Sequence, residues 1–395
     1  MYLTSFIHRN ELFNIAERWF CGHLDPNDAL RLTQILISDG FVLGETLEAL
    51  TQRLLLWIYS EALARKRIHF KGELREIICR GNGVLGDHER ELFSQYHLNP
   101  DFYYREAPID GVMCLGRQGQ LVGLYRIKRP RRIAEKANRK IANWIFSVVQ
   151  HRAQEMAAER AKRSGIPLEL LVTPESEMLT EFVQAERAIA QTFSEERIKF
   201  DATALTIQDV GGIKIIAEDE QLLELEDTLA NDPSLTVLDK ETHHGNYRAR
   251  SLILESTWDP EHVIRRFRDS RAWARYTNRG ISEADLKRGL ESLLGDPEPT
   301  IRVELILSNF PDLVESELGS SIHEERIIAQ RDSRIYRGYV PMNVEFLLEY
   351  LFAVGFSPQT QIDRLPIKLW GRYLPETLIY HVRKLYQLPQ QDFFC

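Results

Sequence analysis

Cysteine is scarce and scattered in this chain. Four residues in 395, Cys21, Cys79, Cys114 and Cys395, stand far apart and never as Cys-x-x-Cys. That spacing argues against a disulfide framework or a zinc site and agrees with a reducing compartment. Long apolar runs are missing too. The stretch Leu54–Tyr59 is long enough only for a buried helix, and no charged-then-apolar leader opens the chain, so neither a membrane span nor a signal peptide is expected. Positive charge is not in excess: 50 Lys and Arg face 58 Asp and Glu, a formal net charge of −8. Bulk nucleic-acid packaging is thereby disfavoured, although a local basic patch could still hold an anion. Internal repeats and low-complexity tracts are also absent. What remains is an ordinary globular composition, 44% hydrophobic and 27% charged, long enough for two or three domains. A soluble, cytoplasmic protein is expected.

Residues 1–110 read as mainly helical. Leu12, Ile15, Ala16, Trp19 and Phe20 recur at helical spacing, Asp25-Pro26 opens a second helix, and Leu47–Leu63 is apolar-periodic. His88-Glu89-Arg90 resembles a metal site at first sight, but Gly86-Asp87-His88 reads better as a solvated helix start.

From Gly111 the pattern turns to short β runs that form a hairpin, Val112–Leu115 and Leu121–Ile127. The hairpin delivers the chain into Arg126–Lys140, where eight of fifteen residues are Lys or Arg. Pro130 stands where a helix can begin, so cations gather at a helix N-terminus, a place suited to an anion. A helical hairpin is expected over about 141–200. The strand-rich part follows: Asp209 ahead of Gly211-Gly212 and Ile213–Ala217, then a short helix, Leu235–Asp239, a turn through His243-His244-Gly245, and Tyr247–Glu255. On that last strand Arg248 and Arg250 share one face, Tyr247 and Ser251 the other. Thr300–Ser308 alternates cleanly, with Arg302 and Glu304 on the polar side. Asp312 to Gln330 reads as a helix, and residues 336–395 as a helical tail.

Phosphoryl-type transfer needs cations on phosphates, a carboxylate for Mg²⁺, and a group to orient or deprotonate the attacking hydroxyl. Asp209 and Glu304 could supply the carboxylates, the 126–140 segment and Arg248 with Arg250 the cations, and Tyr247 a ring on which a base stacks.

The order of these pieces resembles the RelA/SpoT-type alarmone synthetase domain. Arg126-Ile-Lys128-Arg-Pro130-Arg-Arg132-Ile133-Ala-Glu-Lys136 matches that family's Arg-x-Lys-x-Pro-x-Ser-Ile-x-x-Lys, and Asp209-Val-Gly-Gly212-Ile-Lys214 its Asp-x-x-(Ala or Gly)-x-Arg. Asn246-Tyr247-Arg-Ala-Arg-Ser251 echoes Gly-Tyr-x-Ser-Ile-His, Val303-Glu304-Leu-Ile306-Leu-Ser308 echoes Val-Glu-Ile-Gln-Ile-Arg, and Ser316-Glu317-Leu-Gly319-Ser-Ser-Ile-His323 echoes Ala-Glu-x-Gly-x-x-x-His. The likeness spans 126–330. Departures fall at Arg132, Lys214, Ser251, Ile306, Ser308 and Glu324, and about seventy residues separate the first motif from Asp209.

The resemblance implies an α+β, nucleotidyltransferase-like fold. A central mixed sheet of about five strands, built mainly from 205–308, would sit in a synthetase domain over 111–335, with helical regions on either side. It implies Mg²⁺-dependent transfer of pyrophosphate from ATP to a ribose 3′-hydroxyl of GDP or GTP. Asp209 and Glu304 would hold the metal and act in catalysis, and Arg126, Lys128, Lys136, Lys214, Tyr247, Arg248 and His323 would bind nucleotide. Nothing in it supports alarmone hydrolysis, because the chain has no His-Asp dipeptide. Two alternatives follow from the departures: another acceptor such as the end of a tRNA, or a nucleotide sensor without turnover.

Overall fold

The computed structural model describes every residue except 61, 82–84, 166, 168–174, 197–201, 204, 246, 321–323, 326–327, 330–337 and 390–395. Nine strands are placed: β1 (Tyr2–Leu3), β2 (Ala64–Phe70), β3 (Pro108–Leu115), β4 (Leu121–Ile127), β5 (Thr206–Ile207), β6 (Gly211–Ile216), β7 (Leu235–His244), β8 (Arg248–Thr257) and β9 (Thr300–Ser308). The main helices are α1 (Arg9–Phe20), α2 (Asp28–Ile58), α3 (Lys71–Arg80), α4 (Asp87–Leu98), α5 (Pro130–Ser164), α6 (Glu175–Ser194) and α7 (Asp219–Asn231). They continue with α8 (Pro260–Asp269), two short helices α9 (Glu283–Lys287) and α10 (Glu291–Leu294), α11 (Phe310–Leu318), α12 (Tyr339–Phe356) and α13 (Pro375–Leu385).

The mixed α+β class is as expected, but the sheet is larger than the five strands anticipated. Seven strands run in the order β2-β3-β4-β6-β9-β8-β7, and β1 with β5 makes a separate two-stranded pair. The strand β2 lies in the stretch that reads as helical. Its sequence, Ala-Arg-Lys-Arg-Ile-His-Phe, buries only Ile68, so it carries no apolar alternation to betray it; an edge strand does not need one.

Both faces of the sheet are covered. Ile213, Ile215, Val303, Leu305, Leu307, Leu252 and Leu254 point to the rear, into a core shared with α1, α2, α7 and α12. Leu124, Ile216, Ile68 and Met113 point to the front, into a smaller core with α3, α4 and α11. The period of two along each strand therefore sorts the chain into two layers of helices around one sheet. Gly211 permits the close approach of α2: a Cβ there would stand 2.9 Å from Leu43 Cδ1. No helix of the described residues is long and apolar enough to cross a membrane.

The chain ahead of α1 is tied down by a buried charge. His8 Nδ1 lies 2.5 Å from Asp39 Oδ1 on α2, while Nε2 donates to the carbonyl oxygen of Leu294. A carbonyl only accepts and the carboxylate only accepts, so both ring nitrogens donate and the ring is an imidazolium. Burial opposes that charge, but the Asp39 carboxylate overcomes it and raises the His8 pKa above its ordinary 6.5. The stabilisation is therefore complete below about pH 6.5 and fades as pH rises through the raised folded-state value. Thermal melts should show the midpoint falling across this window. Asp39→Asn should flatten that slope and destabilise the protein by roughly 3–5 kcal/mol; an unchanged slope would dissociate the pair from stability.

Candidate active site

Three elements bring the polar groups together at the front of the sheet. The first is the pairing of β6 with β9, parallel and in register so that Gly212 faces Glu304 and Lys214 faces Ile306. The second is β4, antiparallel to β6, with Arg126 opposite Gly212. The third is α5, which starts at Pro130 directly after β4. Proline pre-sets the first helical turn and has no N–H to strand there. Nearly two helical turns on, Lys136 is aimed back at the strand mouth, where its Nζ meets Asp209. Asp209 enters the same space from the residues just before β6.

The carboxylates of Asp209 and Glu304 converge on one ammonium. Lys128 Nζ lies 2.8 Å from Asp209 Oδ2 and 3.5 Å from Glu304 Oε2. Lys136 Nζ also donates to Asp209 Oδ2, and Ser251 Oγ stands 3.5 Å from Glu304 Oε1. Burial alone would raise the Asp209 pKa, but Lys128 and Lys136 outweigh it and hold the carboxyl well below the usual range. Burial and the neighbouring Lys128 lower the Lys136 pKa.

These groups line a cavity of about 290 Å³. Seven lysines and arginines face three carboxylates in its wall, so the space favours a multiply charged anion. Of the residues expected at a site, Arg126, Lys128, Lys136, Asp209, Lys214, Tyr247 and Glu304 all line it. Arg248 does not belong to that wall: it is exposed on the opposite parity of β8, and its backbone N–H donates to Asp312 Oδ1 at 2.7 Å. Arg250, on the same parity, is held from the rear by Glu226 at 2.6 Å. His323 lies outside the described residues. His88, at the start of α4, meets Glu315 Oε2 at 3.0 Å and has no part in the cavity.

A second charge cluster in the wall was not legible beforehand. Lys71, the first residue of α3, pairs with Glu317 at 2.9 Å and Glu324 at 3.3 Å. Arg75, fully buried, reaches Glu324 at 2.8 Å and donates to the Glu317 carbonyl. Two cations and two carboxylates thus satisfy one another. Burial works against the Glu317 charge, yet Lys71, Lys214 and Arg75 keep its carboxyl well below the usual range. The one sequence signal was the start of α3, where Glu73 accepts from the Phe70 and His69 backbone N–H groups. That signal places Lys71 on the first turn but says nothing of its partner 246 residues away.

Lys214 forms no ion pair among the described residues. Burial, with Lys71 and Arg126 nearby, brings its pKa down to about 8 despite Glu317. An anion in the cavity is thus helped by Lys214 at pH 7 and loses that help as pH passes through 8. At pH 9 roughly a tenth of the free protein keeps the ammonium. The affinity for a nucleoside diphosphate, measured by calorimetry, should fall up to about tenfold between pH 7 and 9, and Lys214→Arg should remove most of that fall. An identical decline in Lys214→Arg would assign the effect elsewhere.

No protein-family model matches the chain, and no curated protein matches it. Among solved structures, the small alarmone synthetase 1 from Bacillus subtilis is similar over 52% of this chain and 88% of that one, at 13% identity and a TM-score of 0.20. A likeness of that size is too slight to carry an argument about fold or function.

Proposed function

We propose that this chain is a Mg²⁺-dependent pyrophosphokinase that moves pyrophosphate from ATP to the ribose 3′-hydroxyl of GDP or GTP. The observation that supports this reading is the convergence of Asp209 and Glu304 on Lys128 in a cavity walled by cations. Asp209 and Glu304 are the residues that would hold Mg²⁺. The donor set suits that ion, which is commonly held by one or two carboxylates with phosphates and water completing its shell. It suits no all-protein cage, since the described residues contain no cluster of three or more His, Cys, Asp or Glu. When bound, the ion would neutralise charge on the phosphates and align them.

The protein's own groups would do the rest. Lys128 and Lys136, now on Asp209, would serve the polyphosphate oxygens as well, with Arg126 and Lys214 beside them. Tyr247 would carry the acceptor base on its ring. Glu304 would orient the 3′-hydroxyl and take its proton as the oxygen attacks the β-phosphorus of ATP. The bond from that phosphorus to the α–β bridging oxygen breaks, and AMP leaves. A second reading, nucleotide binding without turnover, is favoured by one observation: Asp209 is already engaged by two ammonium groups.

Labelled ATP incubated with GDP, GTP or tRNA, with and without Mg²⁺, separates the readings. Labelled acceptor should form only with the metal present. Asp209→Asn and Glu304→Gln should each lower turnover roughly a hundredfold or more while circular dichroism stays unchanged. Turnover equal to wild type in both variants would refute the site assignment, and retained nucleotide binding with no product from any acceptor would establish the sensor.

A further inference from the structure

The rear of the sheet holds another cavity, about 510 Å³ in volume. It lies between α2, the β3–β4 hairpin, the turn at residues 275–279 and the end of α12. Its wall combines rings with cations. Phe41, Tyr276 and Phe356 contribute rings, and Arg275 and Arg279 contribute guanidinium groups. The carboxylates in the same wall are already neutralised: Asp110 by Arg67 at 3.2 Å, Glu45 by Arg266 at 3.1 Å, and Glu48 by Arg65.

The arginines are not neutralised in turn. Neither Arg275 nor Arg279 forms an ion pair among the described residues. Arg279 lies over Tyr276, 5.3 Å from its ring centre, and over Phe356 at 4.5 Å. Its Nη1 is cut off from solvent and has no hydrogen-bond partner among the described residues. A buried donor left in that state is costly, more so when it is charged. An acceptor oxygen in the cavity, reached by a small movement of the guanidinium, would complete it. Burial also lowers the Arg279 pKa, the opposite of what an acid partner would do.

We propose that this cavity is a second ligand site, taking a nucleoside phosphate with its base among the rings and its phosphate on Arg275 and Arg279. A bare phosphate would use the two cations and leave the rings idle, whereas stacking on aromatic faces is a common way to hold a base. The volume is within the range of small-molecule sites. Position gives the site a purpose: Arg126 and Lys128 belong to the walls of both cavities. A ligand on the rear thus meets the segment whose lysine holds Asp209 on the front. Binding here does not depend on turnover at the front.

Calorimetric titration of the full chain with GDP tests this, comparing wild type with Arg275→Gln, Arg279→Gln and Lys136→Met. Wild type should show a rear binding event that both arginine variants weaken at least tenfold and that Lys136→Met leaves unchanged. Arg275 is exposed, so its variant keeps the fold even if Arg279→Gln does not. Wild-type binding by Arg275→Gln, or abolition of all binding by Lys136→Met, overturns the second site. Inorganic phosphate competing as well as GDP at the rear event overturns the nucleoside part. Loss of the front event alone bears on the pyrophosphokinase reading and not on this one.

Discussion

The pairing of β6 with β9 is the constraint on which the front cavity depends. The two strands are nearly ninety residues apart in sequence and lie parallel at the centre of the sheet. Their register is held from the rear, by Ile213 and Ile215 against Val303, Leu305 and Leu307, of which only Ile213 also touches the cavity. Side chains alternate with a period of two, so this apolar match also decides that Glu304 shares a face with Gly212 and Lys214. A slip of one residue would send Glu304 into the rear core. Burial of leucine and isoleucine thus sets the distance between two carboxylates.

The charges around the cavity fall into a closed set and an open one. In the closed set, Lys71, Arg75, Glu317 and Glu324 satisfy one another with little exposure to water. Such clusters add little net stability, because desolvation offsets most of the attraction, but removal of one member strands the others. The open set has Lys128 and Lys136 on Asp209, Lys128 also near Glu304, and Lys214 with no ion pair among the described residues. Only the open set has charge left over, and only there can an incoming anion exchange one partner for another without leaving a buried ion bare.

Much of this was readable in the chain. Asp209 before a glycine pair, Glu304 on an alternating strand and the basic run entering a proline-started helix each carry a local signature. All three depend on spacing within about ten residues, the range over which periodicity and capping act. The face assignment of Arg248 and Ser251 was readable for the same reason. What escaped notice depends on distant partners. Lys71 and Arg75 look like surface cations on a short helix until α11 brings Glu317 to them. The strand β2 went unread because, at the sheet edge, it buries a single side chain. The rear cavity joins residues 41, 125, 276 and 356, which no window along the sequence could connect.

That same edge strand has a further effect. A sheet that ends in unpaired backbone groups is an invitation to any other exposed strand, including that of a neighbouring molecule. Along β2 the residues Arg65, Lys66, Arg67 and His69 are all exposed. A second copy docking edge to edge would bring Lys66 against its own image and would disturb the pairs that Arg65 and Arg67 make with Glu48 and Asp110. Charge and those ion pairs together make this edge a poor template for another strand, so the molecule resists growing into a ribbon.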